Sequence, residues 1–110
     1  MAERRDWSVL DHLAATIAAR RGADPDTSYV AKLFAKGRVK IAQKLGEEGV
    51  ECALAAVAEG PEALTKEAAD LLFHLLVLLA DADVDPAAVL AELGRRHGVS
   101  GLAEKASRPS

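Results

Sequence analysis

Apolar residues recur at helical spacing in five stretches of the chain, and short polar segments rich in turn residues separate them. The first helix is predicted to begin at Ser8, which with Asp11 resembles a capping box, and to stop near Gly22. The second is a short helix capped by Ser28 and ended by Gly37. The chain therefore opens with two helices joined by a turn.

Two longer helices follow, from about Arg38 to Glu59 and from about Glu62 to Ala82. The intervening Gly60-Pro61 break allows the second of them to fold back antiparallel on the first. The residues of the third helix expected to make apolar contacts are Val39, Ile41, Leu45, Val50, Leu54 and Val57.

The fifth helix is predicted to start after Asp85, a capping residue followed by the favoured first-turn Pro86, and to end near His97. No stretch shows the two-residue alternation of a strand. The prediction is one all-α domain over residues 1–110, an antiparallel helical bundle, with residues 1–7 and 107–110 expected to be flexible.

The fourth helix is apolar at every azimuth from Leu71 to Ala80, interrupted only by His74, so it should be buried nearly all round. A single chain of 110 residues is too small to bury the whole circumference of this helix. We therefore predict a homodimer or a dimer of dimers. The same run is far shorter than the ~20 residues that span a bilayer.

Composition narrows the class of protein. With 14 basic and 17 acidic residues the net charge is −3, which argues against a general nucleic-acid binder. Only four residues are aromatic, and Tyr29 and Phe34 are expected in the aliphatic core. The single cysteine, Cys52, is expected to fill space in a helix, and the charged Met1–Asp11 segment does not resemble an export signal. A cytoplasmic protein is the expectation.

Acidic residues stand at helical spacing on the third and fourth helices. Glu47, Glu48 and Glu51 project from one side of the third helix, and Glu67 and Asp70 from one side of the fourth. Antiparallel packing could bring these carboxylates together, where they would repel unless a cation lay among them. A hard divalent ion with oxygen ligands, Mg²⁺ above all, fits this donor set.

The alternative is a solvated acidic face. Lys44 could pair with Glu48 four residues on, and Lys66 could neutralise Glu67 locally. Asp70 favours the buried site, because it stands at the start of the apolar run of the fourth helix.

Basic residues precede the acids at helical spacing: Lys40, Lys44, Glu47 and Glu51 form one stripe. A polyphosphate would need such lysine donors beside a metal-binding end. The full cationic group before the acids is Lys32, Lys36, Arg38, Lys40 and Lys44. Gly46 and Gly49 each cost ~1 kcal/mol relative to Ala in the third helix, which indicates either a close approach there or a tolerated weak spot.

The three histidines are not expected to bind metal. His74 is predicted as a hydrogen-bonded core residue, and His12 and His97 as surface residues. The tail, Val99–Ser110, is either frayed or folded over a phosphate through its two bases.

The acid pattern resembles the signature of the all-α, MazG-like nucleoside triphosphate pyrophosphohydrolases. Four blocks narrow the resemblance to the phosphoribosyl-ATP pyrophosphatase family of histidine biosynthesis: Ser28–Gly37, Lys40–Glu48, Asp70–Leu79 and Ser100–Lys105. Gly49 and Cys52 depart from the expected Ala and Thr-like residue without removing a carboxylate. Nothing resembles a fused cyclohydrolase domain, so a stand-alone enzyme is expected.

The resemblance implies Mg²⁺-dependent hydrolysis of 1-(5-phosphoribosyl)-ATP to 1-(5-phosphoribosyl)-AMP and pyrophosphate. By residue-by-residue transfer it implies Glu48, Glu51, Glu67 and Asp70 as Mg²⁺ ligands, and Glu47 as a further ligand or an orienter of the attacking water. The expected catalytic residues are Glu47, Glu48 and Glu51. The candidates for phosphate contacts are Lys32, Lys36, Lys40, Lys44, Lys105 and Arg108.

Two other functions remain open on the residues alone. A house-cleaning hydrolase of non-standard nucleotides shares the acid motif but has no need of the Ser28–Lys44 block. A non-catalytic helical dimerisation module would leave the acids on a solvated face and would not respond to Mg²⁺.

Overall fold

The computed structural model describes residues 6–97, and these form five α-helices and no strand. The helices are α1 (Ser8–Ala19), α2 (Tyr29–Lys36), α3 (Arg38–Ala58), α4 (Pro61–Asp81) and α5 (Pro86–His97). The all-α prediction is confirmed for this part of the chain. The expected flexible ends and the tail, with Lys105 and Arg108, lie outside the described residues.

The helix ends follow local chemistry, with one exception. Ser28 caps α2 by accepting a hydrogen bond from the Ala31 N–H at 3.1 Å, as predicted. Asp85 accepts one from the Ala87 N–H at 2.9 Å at the start of α5. The capping box at Ser8 is wrong, because Asp6 takes the Ser8 N–H and Ser8 lies within the helix.

The long helices α3 and α4 form the main packed pair, and α1 and α2 lie against α4. Only Glu59 and Gly60 separate α3 from α4, and Pro61 occupies the first helical position of α4. Because this connection is so short, the two helices run antiparallel. The core comprises one large aliphatic side chain from each of four helices: Ile17, Leu33, Ile41 and Val77.

Two arginines bind the carboxyl end of α4. Arg38 donates to the Asp81 carboxylate and to its backbone oxygen, both at 2.8 Å. Arg21 donates to the Ala80 oxygen at 2.9 Å and forms an ion pair with Asp83. These guanidinium groups donate to carbonyls of the last turn of α4. Arg38 thereby fixes the start of α3 beside the end of α4, and Arg21 fixes the segment that follows α1 there.

Several predicted core contacts are exposed in the single chain. On α3, Val39 is 82% exposed and Val57 84%, although Ile41 is buried as expected. On α4, Leu72 is 45% exposed, so the all-round burial expected for Leu71–Ala80 is not reached. The physical reason is that α3 and α4 bury their facing sides against each other, while the other described helices cover only part of their remaining surface. Among those residues no helix is long and apolar enough to cross a membrane.

Tyr29 is also not a core residue. Its side chain is 55% exposed, and its ring stacks on Phe73 with centroids 6.1 Å apart and planes inclined by 19°. Phe34, by contrast, packs against the core as predicted.

Candidate active site

Three of the five predicted acids converge between α3 and α4. Glu48, Glu67 and Asp70 each offer a carboxylate oxygen, and these oxygens all lie within 4.8 Å of one another. The antiparallel pairing of the two helices produces this meeting, because it sets the middle of α3 against the first half of α4.

Glu48 is the buried member of the group. It is only 6% exposed, and its Oε1 lies 3.7 Å from the Lys44 Nζ while its Oε2 has no hydrogen-bond partner among the described residues. A buried carboxylate oxygen without a partner is costly. This orphaned oxygen, in an all-oxygen donor set, fits a hard divalent cation.

Glu51 stands next to this cluster. The negative charge of Glu48, then burial and the charge of Glu67, raise the pKa of the Glu51 carboxyl above its usual value. Glu51 therefore lies close enough to interact electrostatically with Glu48 and Glu67, although it is not one of the three residues whose oxygens come within 4.8 Å of one another.

Glu47 lines a separate feature, a cavity of about 160 Å³. Its carboxylate accepts a hydrogen bond from the Gln43 side chain at 3.1 Å. The cavity is lined by Leu33, Lys36, Lys40, Ile41, Gln43, Lys44 and Glu47. Lys40, Lys44 and Glu47 of the predicted stripe therefore line one cavity, whereas Glu51, its fourth member, lies outside this lining. Lys32 is exposed and also lies outside it.

The solvated-face alternative is partly present. The Lys44–Glu48 pair does form, but it satisfies only one oxygen of a buried carboxylate. Lys66 pairs with Glu62 at 3.6 Å rather than neutralising Glu67. The acids of the cluster thus retain an uncompensated charge that a solvated face would not have.

Histidine placement agrees with the sequence. His74 is 5% exposed, with its Nδ1 2.7 Å from the Asp70 backbone oxygen, so it is a hydrogen-bonded core residue as predicted. His12 and His97 are exposed. The role of Gln43 was missed, although its position four residues before Glu47 is a recognisable pairing signal.

Comparison with known proteins decides the family. A family model described as phosphoribosyl-ATP pyrophosphohydrolase matches residues 10–97. The chain belongs to the phosphoribosyl-ATP pyrophosphohydrolase family.

Similar proteins from several bacteria are named phosphoribosyl-ATP pyrophosphatase. The chain is 70% identical over 101 residues to the phosphoribosyl-ATP pyrophosphatase of Rhizorhabdus wittichii, covering 92% of this chain and 95% of that protein. It is 62% identical over 101 residues to that of Dinoroseobacter shibae, covering 92% and 99%. It is 59% identical over 104 residues to that of Paramagnetospirillum magneticum, covering 94% and 95%. The resemblance inferred from the residues is thereby confirmed.

Proposed function

We propose that this protein hydrolyses 1-(5-phosphoribosyl)-ATP to 1-(5-phosphoribosyl)-AMP and pyrophosphate with Mg²⁺, an early step of histidine biosynthesis. The observation that carries the proposal is the buried Glu48, one oxygen of which has no hydrogen-bond partner within residues 6–97, grouped with Glu67 and Asp70 beside a lysine-lined cavity. The identity of the substrate is inferred from the family to which the chain belongs.

Glu48, Glu67 and Asp70 would hold the Mg²⁺, with Glu51 as the neighbouring fourth carboxylate. When bound, the cation lowers the pKa of water and neutralises negative charge on phosphate oxygens.

The lysines of the cavity have the complementary role. Lys36, Lys40 and Lys44 line it and donate N–H groups to the phosphates, which holds the chain of phosphates in one orientation. Gln43 fixes the carboxylate of Glu47 at the same wall. Glu47 then orients the attacking water, and Glu51 accepts its proton as the α–β anhydride bond breaks and pyrophosphate leaves.

The direct test is pyrophosphate release from phosphoribosyl-ATP, with and without Mg²⁺, beside a panel of free nucleoside triphosphates. We expect release only with Mg²⁺ and a strong preference for phosphoribosyl-ATP. Preference for non-standard nucleotides would instead identify a house-cleaning hydrolase, and no hydrolysis of any substrate would leave a dimerisation module.

Glu51→Gln should lower kcat by about 10²–10⁴-fold, because it removes a proton acceptor. Circular dichroism should remain that of the wild type, since Glu51 is exposed. Glu62→Gln is the matched control. Glu62 lies on α4 outside the group of Glu48, Glu67 and Asp70 and pairs with Lys66, so its substitution should leave kcat unchanged.

We also propose that the working form is a homodimer in the cytoplasm. Val39, Val50, Leu54 and Val57 lie within about 60° of one another around α3, and each is more than half exposed. Gly46 lies on the same stripe, and a Cβ there would meet nothing within 4 Å. An apolar stripe with a glycine in its middle suits the close approach of another helix, such as α3 of a second copy.

Leu54→Lys tests this interface. Leu54 is 54% exposed in the single chain, so a lysine there should be harmless to a monomer and should disrupt a dimer that buries it. Analytical ultracentrifugation should show the wild type as a dimer and the variant as a monomer. A dimeric variant, or a monomeric wild type, would exclude this stripe as the interface.

A further inference from the structure

Tyr29 is an exposed aromatic residue that the catalytic proposal above does not use. It is the single tyrosine of the chain, and it is 55% exposed on the first turn of α2. One face of the ring stacks on Phe73 at 6.1 Å, in a nearly parallel arrangement of 19°. A ring held by a stack yet largely exposed is a prepared surface for a further flat group.

A short series of contacts connects this surface with the acid cluster. Phe73 follows Asp70 by three residues on α4, which puts their Cβ atoms about 5–6 Å apart. His74 fixes the same turn, because it contacts Phe73 edge-on at 5.1 Å and bonds the Asp70 backbone oxygen at 2.7 Å. The Tyr29 ring therefore lies one stacked ring away from a turn that begins with a carboxylate of the cluster.

The position of Lys36 relative to Tyr29 indicates how a bound nucleotide would be oriented. Lys36 follows Tyr29 by seven residues on α2, so the two share one face of that helix, about 10 Å apart along its axis. Lys36 lines the lysine cavity. A nucleotide whose phosphates occupy that cavity could thus place its base near Tyr29.

We propose that the Tyr29 ring is the platform on which the adenine of phosphoribosyl-ATP stacks, and that it favours this adenine over that of ATP because substitution at N1 makes the base cationic. This inference rests on the proposed function. An adenine that carries a substituent on N1 is a much stronger base than adenine itself, so near neutral pH its ring system bears a positive charge. Aromatic faces attract flat cations through cation–π interaction in addition to stacking.

The experiment compares 1-methyladenosine 5′-monophosphate with adenosine 5′-monophosphate, two probes that differ by a methyl group on N1 and by the positive charge that this substitution brings. Calorimetric titration of the wild type with Mg²⁺ should give a Kd about 3–10-fold lower for the methylated probe. Tyr29→Phe keeps the ring and should keep the preference. Tyr29→Leu and Tyr29→Gln should weaken binding of the methylated probe by about tenfold or more and abolish the preference.

Wild-type affinities in both ring-less variants would overturn the proposal, and equal weakening of the two probes would overturn its charge preference. A change of sedimentation coefficient in these variants without a change of affinity would assign Tyr29 to an interface instead. A measurement on the wild type alone avoids any loss of folding: the ring protons of the single tyrosine should shift upfield in NMR spectra when 1-methyladenosine 5′-monophosphate is added, and unchanged shifts would exclude stacking.

Pyrophosphate release by the wild type separates this inference from the function on which it rests. Release from phosphoribosyl-ATP without a Tyr29 shift would refute the platform and leave the activity standing. Absence of release would refute the activity, whatever the probes show.

Discussion

Glu48→Gln should stabilise the protein when no metal is present and destroy its response to Mg²⁺. Glu48 is 6% exposed and shares a small volume with Glu67 and Asp70, so its charge is repelled by both of them. The amide is nearly the same size, can donate to the neighbouring carboxylates, and carries no charge.

The magnitude follows from the distances. At an effective dielectric constant of about 20, two unit charges 4.8 Å apart repel by about 3.5 kcal/mol. Lys44, at 3.7 Å, offsets about 4.5 kcal/mol of the repulsion from the two acids. Solvent screening at the exposed Asp70 reduces the remainder, and we expect a net gain of about 1–2 kcal/mol from the substitution, or roughly 5–10 °C in Tm.

The assay is a thermal unfolding scan in EDTA and in saturating MgCl₂. The wild type should gain about 2.7 kcal/mol when Mg²⁺ is at one hundred times its Kd, whereas Glu48→Gln should gain little. Glu62→Gln, a substitution on the same helix pair outside the cluster, should behave like the wild type in both solutions. A Glu48→Gln protein that melts below the wild type in EDTA, or that retains the full Mg²⁺ response, would refute this reasoning.

Two further predictions concern pH and the end of α4. Because the pKa of Glu51 is raised in the folded protein, ionising it opposes folding, so the metal-free wild type should lose stability as the pH rises from the ordinary glutamate value of 4.5 through the raised value. Melting scans in EDTA at a series of pH values should show this loss, and Glu51→Gln should reduce it; an equal slope in the variant would contradict the assignment. Arg38→Ala should lower the free energy of unfolding by about 1–3 kcal/mol, because Asp81 loses a charged partner at 2.8 Å. Urea unfolding of this variant beside Arg38→Lys should show partial rescue by lysine, and a change below about 0.5 kcal/mol would contradict the bond's role.

The helices were predictable from the sequence because their ends depend on local chemistry. Ser28, Gly37, Gly60-Pro61 and Asp85-Pro86 act through their own backbone conformation and hydrogen bonds, and all four mark helix ends in the structure. Ser8 was misassigned because Asp6, two residues earlier, competes for the same N–H.

Burial was less predictable because it depends on which faces meet. Apolar spacing on α3 could not distinguish Ile41, which is buried against the other helices, from Val57, which lies on the exposed stripe. Tyr29 was expected in the core for its residue type, yet its position on the first turn of α2 leaves it exposed.

The candidate site was partly predictable. Spacing of three and four residues put the acids on one side of each helix, and the antiparallel pairing did bring Glu48, Glu67 and Asp70 together. Glu47 lies apart from these three because neighbouring residues of a helix point about 100° apart, whereas its hydrogen bond from Gln43 and the cavity it shares with α2 became clear only from the structure.

The proposed hydrolysis depends on the binding of a divalent cation by Glu48, Glu67 and Asp70. Crystals grown with Mn²⁺, a substitute for Mg²⁺ with a measurable anomalous signal, test it most directly. An anomalous peak should appear within bonding distance of carboxylate oxygens of all three residues. Strong peaks elsewhere, with these three side chains free of metal, would contradict it.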